Sequence, residues 1–297
     1  MFHEAKRNNF AYLILGYKSD DMTLDLVKRI REFDFKSTIV VVDNSVENKP
    51  LEAKLSSLRN THFISSGANL GYARGNNVGL RYLSQKGDVD FVFICNPDIE
   101  IDKISIALMK EAICKHQSVA ILGSRILDTQ ANDQVSHWVS KTLVQDIMGD
   151  FSSLRFLLHN FKKPINTDLQ PVFVECDVVT GAFFLADLDV LRNVSYFDER
   201  TFLYCEERIL AKRLDKVGAK RFVLTAATCQ HRGSSTISVK FATRLKRHLL
   251  LIASRRVYYR YYSSPVKLFI YSLSTPFSIF EKVLLDAFIS VFGIFKR

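Results

Sequence analysis

Cysteine is scarce in this sequence, and its arrangement argues against two kinds of covalent or metal cross-link. The chain has five cysteines among 297 residues, and they form neither a CxxC pair nor a His/Cys cluster at zinc-binding spacing. An odd number of scattered thiols is not the pattern of a disulfide-stabilised secreted domain. We therefore expect reduced, buried thiols in a cytosolic protein, at Cys95, Cys114, Cys176, Cys205 and Cys229.

Long hydrophobic runs are also missing near both ends of the chain. The N-terminal apolar stretch, Phe10 to Leu15, is too short and too early for a signal peptide, so we interpret it as a first strand of a cytoplasmic domain. The C-terminal stretches 268–280 and 283–295 are apolar but interrupted, which leaves no run of about 18 residues for a spanning helix. The interrupting residues are Pro276, Glu281, Lys282 and Asp286.

Acidic residues are nearly absent from the last fifth of the chain. Residues 240–297 contain 11 Lys and Arg but two acids, an excess that accounts for nearly all of the formal net charge of +10. Basic and aromatic side chains together are typical of the headgroup region of an anionic membrane leaflet. The aromatic members of this region form one cluster, Tyr258, Tyr259, Tyr261 and Tyr262.

We therefore divide the chain into a globular domain, residues 1–238, and a basic amphipathic membrane-association region, residues 239–297. The second region is expected to lie in the plane of an anionic membrane surface. Helices packed on the globular domain, a homodimer interface and nucleic-acid binding are the alternatives. No recognised nucleic-acid-binding module precedes the tail, so we expect no nucleic-acid partner.

The globular part shows regular alternation of strand-like and helix-like segments. The apolar runs 11–16 and 38–43 alternate with the amphipathic runs 22–33 and 51–58, and the strand-like run 91–95 follows later. Such alternation predicts an α/β fold with a mostly parallel sheet covered by helices, whose ligands bind at the carboxyl ends of the strands. Polar residues follow these strands directly: Tyr17, Asp43, Asn44, Ser45, Asn96 and Asp98.

Seven short motifs occur in one order along residues 10–236. They are ILGYKS, VVVDNS, NLGYARGNNVG, CNPD, VTGAFFL, FDERTFLYCEE and HRGSS. In this ordered set the sequence resembles the family 2 glycosyltransferases of the GT-A fold, particularly the bacterial rhamnosyltransferase-like branch. The resemblance implies a GT-A catalytic domain over residues 1–238 that binds a nucleotide-sugar donor, followed by a basic and aromatic helical tail.

The resemblance implies a donor site on the first three motifs. Asp43 matches a residue that binds the nucleotide base, with Tyr17 and Asn44 beside it. Residues of the glycine-rich motif can approach phosphate or ribose; these are Asn69, Gly71, Arg74 and Asn76. The alternatives are an ordinary turn after a strand and a glycine-rich helix start packed on the sheet.

The CNPD motif stands where the family has its metal-binding DxD motif. Asn96 replaces the first acid, so Asp98 is the strong anionic ligand, and His231 matches a position that contacts metal or diphosphate. The implied cofactor is Mn²⁺ or Mg²⁺, and Arg232 and Ser235 are candidates for holding phosphate. Asn-Pro-Asp is also a common turn sequence, which is the alternative.

Two adjacent glutamates occupy the place of the family's Glu-Asp pair. The resemblance implies that Glu207 is the general base of an inverting transfer, with Glu206 as an alternative base or acceptor-binding group. Gly181 matches the backbone that lines the acceptor site. The alternative is that two acids simply favour the positive end of a helix dipole.

The resemblance further implies rhamnose transfer from dTDP-rhamnose to a lipid-linked saccharide during bacterial surface polysaccharide synthesis. The enzyme would be peripheral on the inner face of the plasma membrane. Three alternatives are a UDP-sugar-dependent transferase, a catalytically degenerate nucleotide-sugar binder and a nucleotidyltransferase. The last lacks the expected glycine-rich Lys/Arg signature after the first strand.

Overall fold

A nine-stranded mixed sheet is the centre of the molecule. The computed structural model describes residues 8–45, 49–116, 118–154, 173–233 and 243–292. Its strands are β1 Phe10–Gly16, β2 Thr38–Asp43, β3 Thr61–Ser65, β4 Phe91–Cys95, β5 Ile99–Ile101, β6 Val119–Leu127, β7 His137–Trp138, β8 Phe173–Glu175, β9 Val178–Val179, β10 Phe183–Asp187 and β11 Lys220–His231.

Helices connect and cover these strands. They are α1 Asp20–Phe33, α2 Lys49–Ser56, α3 Gly71–Lys86, α4 Lys103–Lys115, α5 Leu143–Asp150, α6 Leu188–Asn193, α7 Glu206–Asp215, α8 Arg244–Tyr262 and α9 Pro265–Phe292.

The sheet has the order β3-β2-β1-β4-β10-β6-β11-β5, with β8 paired to β11. Strands β3, β2, β1 and β4 are parallel, and so are β6 and β11. Strand β10 runs antiparallel between β4 and β6, while β7 and β9 form a separate two-stranded ribbon. The predicted α/β fold, a mostly parallel mixed sheet flanked by helices, is confirmed.

Period-two alternation in the strands explains the two layers of core. Along β1, Tyr12 and Ile14 face one layer with α1, α2 and α4, while Ala11 and Leu13 face the other with α3, α6 and α7. Both faces of the strand are buried, as its uninterrupted apolar sequence requires. The parallel strands therefore end together at one edge, where the polar residues that follow them meet.

The C-terminal region forms two long helices that pack on one another. Our expectation that Pro276 interrupts the apolar segment is wrong, because α9 continues through it. Proline leaves the carbonyl four residues earlier without its usual donor. Here the hydroxyl of Thr275 donates to the carbonyl of Ser272 at 2.9 Å, which supplies a substitute. Among the described helices, one segment, Pro265–Ile289, is long and apolar enough to cross a membrane by length and composition alone.

Helix α8 packs on the globular domain. Tyr258 and Tyr259 are buried against Ile209 of α7, and Arg255 is buried with them. Assigning these two tyrosines to the membrane headgroup zone is therefore wrong, because burial and pairing with domain residues removes them from the surface. Tyr261, by contrast, is exposed.

Two glycines with left-handed backbones allow a matched test of the close contact between the start of α3 and the segment that precedes α7. A Cβ at Gly71 (φ +80°) would lie 2.2 Å from the carbonyl oxygen of Phe202, whereas one at Gly87 (φ +72°) would have no neighbour within 4 Å. We predict that Gly87→Ala lowers the free energy of unfolding by about 1 kcal/mol through backbone strain. Gly71→Ala adds a collision with main chain and should cost roughly 1–3 kcal/mol more. Urea denaturation measures both, and equal losses would contradict the close contact.

Candidate active site

Asp43 lies at the carboxyl end of β2, and its two carboxylate oxygens have different surroundings. Its Oδ1 accepts a hydrogen bond from the backbone N–H of Ser45 at 3.1 Å. Its Oδ2 is buried and has no hydrogen-bond partner among the described residues. An unpaired buried acceptor is unfavourable unless a ligand donor satisfies it. The position therefore suits a base N–H group, as the motif resemblance implies.

Asn44 joins β2 to the start of α3. Its Nδ2 donates to the carbonyl of Gly71 at 2.9 Å, and its Oδ1 accepts from the backbone N–H of Leu70 at 3.2 Å. Asn69 accepts from the N–H of Gly71 at 3.0 Å. Asn44 is buried with its amide occupied, so it positions the glycine-rich loop, whereas the half-buried Asn69 lies nearer the surface.

Three other predicted donor residues have different environments. Tyr17 is half-buried with the ammonium of Lys18 5.7 Å from its ring centre. Arg74 is exposed, and its Nε donates to the carbonyl of Glu199 at 3.0 Å. Asn76 is fully buried and donates to the carbonyl of Tyr72, so its side chain does not reach the surface where a donor would bind.

Glu207 lies in the first turn of α7, directly against the turn that contains Gly181. Its Oε1 accepts from the N–H of Gly181 at 3.2 Å, and the hydroxyl of Tyr72 donates to the Gly181 carbonyl at 2.6 Å. A Cβ at Gly181 would lie 2.7 Å from Glu207 Oε1, so no larger residue fits without displacement. The motif residues from three chain segments are thus brought together.

The two adjacent glutamates have different surroundings. Glu206 is buried, and its Oε2 has no hydrogen-bond partner among the described residues, while Glu207 is half-buried. Burial raises the pKa of Glu206 well above its ordinary value, and the Glu207 carboxylate adds to the rise. Burial also raises the pKa of Glu207, opposed by hydrogen bonds from backbone N–H groups. Glu207 is therefore the more accessible proton acceptor, with enhanced basicity.

The backbone before α7 is strained. Tyr204 and Cys205 have φ of 75° and 65°, a left-handed conformation that is unfavourable for residues other than glycine. Each such residue costs on the order of 1–3 kcal/mol and persists only where surrounding contacts impose it. One such contact lies two residues before Tyr204, where the carbonyl of Phe202 accepts a hydrogen bond from the backbone N–H of Tyr72 at 2.9 Å. Strain of this kind often accompanies functional sites.

Asp98, in the CNPD turn after β4, and His231, at the end of β11, form a pair. Nε2 of His231 lies 3.4 Å from Oδ1 of the buried Asp98 carboxylate. Nδ1 of His231 lies 3.3 Å from Oε1 of Gln134, whose Nε2 donates to the His231 carbonyl at 3.0 Å. When Gln134 accepts from Nδ1–H, the Nε2 lone pair is directed to the Asp98 side, as metal-ligating histidines require.

The pair fits part of a metal site. Two ligands of one octahedral cation with bonds near 2.1 Å lie about 3 Å apart, close to the observed separation. Within the part of the chain that the structure describes, no group of three or more His, Cys, Asp or Glu side chains could hold a metal. Asp98 and His231 therefore suit a cation that takes its remaining ligands from a bound diphosphate and water.

Asn96 and Arg232 lie on either side of this pair. The backbone N–H of Asn96 donates to the carbonyl of Ala182 at 2.8 Å, which connects the CNPD turn to the Gly181 turn. The Arg232 backbone donates to the Asp98 carbonyl at 3.0 Å, and its guanidinium pairs with Glu100. The Arg232 side chain is thus already ion-paired. Ser235, the other candidate phosphate ligand, lies outside the described residues.

Sequence reasoning missed two residues that shape the site. Tyr72 lies inside the NLGYARGNNVG motif, but nothing in the motif indicated that its hydroxyl reaches Gly181. Gln134 lies in the stretch 128–170, which had no recognisable pattern, and its contact with His231 spans 97 residues. A polar residue in an irregular loop carries no sequence signal for such a role.

Similar proteins are known at the level of sequence. The chain is 31% identical over 203 residues to the low-salt glycan biosynthesis hexosyltransferase Agl10 of Haloferax volcanii, covering 67% of this chain and 59% of that protein. It is 25% identical over 211 residues to the N-acetylglucosaminyl-diphospho-decaprenol L-rhamnosyltransferase of Mycobacterium tuberculosis, covering 67% and 68%. It is 24% identical over 252 residues to the rhamnosyltransferase WbbL of Escherichia coli, covering 82% and 93%.

Solved structures with low sequence identity share the fold. The mannosyltransferase PcManGT from Pyrobaculum calidifontis, solved with GDP-Man and Mn²⁺, superposes with a TM-score of 0.57 at 13% identity, covering 97% of this chain and 77% of that chain. Residues 1–349 of S. aureus TarS give 0.52 at 13% identity, covering 86% and 72%. No protein-family model matches the chain.

The raised pKa of Glu206 generates a prediction about stability. The native state holds this proton longer than the unfolded chain, whose carboxyl titrates near 4.5. The unfolded state therefore ionises first, and the free energy of unfolding falls as pH rises from 4.5 towards the higher native pKa. Glu206→Gln removes this loss and should stabilise the protein near neutral pH by about 1–3 kcal/mol.

The measurement is urea denaturation across a pH series. The gain should disappear below the ordinary carboxyl pKa of 4.5, where both states of the wild type are protonated. The exposed Glu52→Gln is the matched control and should show no such dependence. A Glu206→Gln variant that is less stable than wild type at neutral pH would show instead that the charged form is preferred.

Proposed function

The chain belongs to the family 2 glycosyltransferases of the GT-A fold, in their rhamnosyltransferase-like branch, and from this premise we propose that it is an inverting glycosyltransferase. It would move a sugar from a nucleoside diphosphate donor to an acceptor hydroxyl. The observation that carries the proposal is the Glu207 carboxylate, half-buried, raised in pKa and held against the Gly181 turn.

Glu207 is the general base of this reaction. Its second carboxylate oxygen, Oε2, accepts the proton of the acceptor hydroxyl while the hydroxyl oxygen forms a bond to the anomeric carbon from the face opposite the diphosphate. The bond between the anomeric carbon and the diphosphate oxygen breaks, and its electron pair leaves with the nucleoside diphosphate. A base whose pKa lies nearer to neutrality accepts the proton more readily than an ordinary carboxylate.

The donor binds along the strand ends. Asp43 accepts from the base through its unpaired Oδ2, and Asn69 and Gly71 lie on the adjoining loop. Asp98 and His231, 3.4 Å apart, would hold the divalent cation, Mn²⁺ or Mg²⁺. When bound, that cation neutralises charge that develops on the diphosphate leaving group. Asn96 takes the place of one anionic ligand in the motif, so Asp98 is the residue of the motif that would supply negative charge to the cation.

Rhamnose from dTDP-rhamnose is the donor sugar we favour, with a lipid-linked saccharide as acceptor. Two relatives are named as rhamnosyltransferases, and one of these names includes a decaprenol-linked acceptor. We propose that the enzyme meets such an acceptor at the inner face of a membrane, in the synthesis of a surface polysaccharide. A UDP-sugar donor is the alternative, since Agl10 is named only as a hexosyltransferase.

A donor panel tests the class of reaction. Purified protein should release nucleoside diphosphate from one of dTDP-rhamnose, UDP-hexoses or GDP-mannose, and chelation of divalent cations should abolish release. Asp98→Asn should raise the Mn²⁺ concentration needed for half-maximal rate by about 10-fold or more, because it removes the anionic ligand. Donor binding without turnover, even with lipid-linked acceptors supplied, would identify a degenerate nucleotide-sugar binder instead.

Substitution of Glu207 tests the base directly. Glu207→Gln keeps an oxygen that accepts from Gly181 but cannot accept the proton, so kcat should fall by about 10²–10⁴-fold. Donor affinity should stay within about twofold, because no donor contact is assigned to this side chain. Glu207→Asp restores the acid usual in the family and should retain more activity than Gln. A Gln variant with the full rate would remove Glu207 from the mechanism.

A further inference from the structure

Helix α9 is polar on the face it buries against the protein. Tyr271, Thr275, Ser278 and Lys282 follow one another at spacings of four, three and four residues, and all are buried. Each is hydrogen-bonded to the rest of the chain. The partners, in the same order, are Asp150, Arg256, His248 and Ser152.

The opposite face of α9 is apolar and exposed. Six side chains form this surface, which we call the apolar ridge, and their exposed fractions lie between 53% and 69%. The ridge extends for about 27 Å at 1.5 Å per residue. It consists of Val266, Phe269, Leu273, Phe277, Phe280 and Leu284.

This polarity is the reverse of what a helix on a water-soluble surface shows. Such a helix turns its apolar stripe to the core and its polar side to solvent. Scattered exposed apolar residues are ordinary, but a contiguous ridge of this length marks an interaction surface. The polar side chains of α9 already have hydrogen-bond partners within the protein. Only the exposed apolar ridge would therefore gain from an apolar environment.

The charge of the neighbouring helix α8 identifies the environment. Helix α8 contains no acidic residue, and its exposed side carries Lys246, Arg256 and Arg260. Arg256 donates to Thr275 on the buried face of α9 at 2.8 Å, so the basic side of α8 borders the contact between the two helices. A basic helix packed against a helix with an exposed apolar face matches anionic lipid headgroups above acyl chains. A second copy of the chain would bring these cations together, which disfavours self-association through this face.

The buried side of α9 decides how the helix meets the bilayer. Lys282 donates to Ser152 at 2.6 Å, and Glu281 accepts from the backbone N–H of Ser153 at 2.9 Å. A spanning orientation would break these contacts and carry the charged groups into hydrocarbon, which is strongly unfavourable. A helix that keeps them must lie along the surface of the domain.

We propose that α9 docks this chain on an anionic bilayer by lying parallel to the membrane, with the apolar ridge in the acyl-headgroup boundary and the basic side of α8 on the headgroups. This goes beyond the proposed glycosyl transfer and does not rest on it. Vesicle binding is measured without donor or acceptor, so failure of one proposal is distinguishable from failure of the other.

Binding to vesicles tests the ridge. The full chain should sediment with phosphatidylcholine vesicles that contain about a quarter phosphatidylglycerol, and less with phosphatidylcholine alone or at high salt. Phe277→Asp with Phe280→Asp should lower the partition coefficient by about 10-fold or more. Phe35→Asp is the matched control, since Phe35 is 62% exposed like Phe280 but lies outside the ridge. Urea midpoints verify that all variants fold.

Tryptophan quenching by brominated lipids tests the orientation. Val266→Trp, Phe277→Trp and Leu284→Trp place probes along one side of α9, with Trp138 as a constant background. Equal, shallow quenching at all three supports the in-plane helix. Deep quenching at 277 with shallow quenching at 266 and 284 would show a spanning helix and overturn the proposal. So would loss of a homodimer, rather than of vesicle binding, in the double aspartate variant.

Discussion

The buried carboxylate of Asp146 is the interaction on which the placement of α7, the helix that carries the candidate base, depends. It lies on α5 and pairs with Arg208 of α7, while the hydroxyl of Tyr259 on α8 donates to it at 2.6 Å. Arg255 of α8 contacts it as well and also pairs with Asp150. Removing one member of a buried charged cluster leaves the others unpaired, at a cost of about 3–5 kcal/mol. Because Arg208 directly follows Glu207, this cluster fixes the position of the helical turn that carries the candidate base.

The contacts at the carboxyl ends of the strands differ from this cluster, because they leave some polar groups without hydrogen-bond partners. Asn44 has its amide fully used in joining β2 to the glycine-rich loop, so it contributes rigidity. Asp43 and Glu206 each retain a buried oxygen without a partner among the described residues. Buried unpaired acceptors oppose folding, and Glu206 in addition directly follows the strained backbone at Tyr204 and Cys205. These groups therefore lower the stability of the fold at the edge where the ligands are proposed to bind.

Asp150 extends the same cluster to α9. It pairs with Arg255 and accepts from the hydroxyl of Tyr271 on α9 at 2.8 Å. Because Asp146 and Asp150 both lie on α5, a short chain of buried contacts joins α9 to α7. The apolar ridge and the candidate base are thus parts of one packed unit. If α9 lies on the bilayer, the crevice is held at a set distance from the lipid surface, where a lipid-linked acceptor would be presented.

Local features of the sequence were enough for the fold class, the family resemblance and the list of candidate residues. Short continuous apolar runs identified β1, β2 and β4, because a strand of a parallel sheet is buried on both faces. The same local reasoning failed at Pro276, where a hydroxyl one residue away replaced the missing donor. It also assigned Tyr258 and Tyr259 to a membrane, since a basic, aromatic composition does not reveal which side chains are buried.

Tertiary structure alone decided which of the candidate residues meet. Tyr72 and Gly181 are 109 residues apart, His231 and Gln134 are 97 apart, and Tyr271 and Asp150 are 121 apart. It also placed Asn76 inside the α3 packing and paired Arg232 with Glu100. The sequence by itself determined residue chemistry and the short-range pattern of strands and helices. The site and the orientation of α9 follow from strand order and helix packing, because contacts between distant residues have no period that a sequence can display.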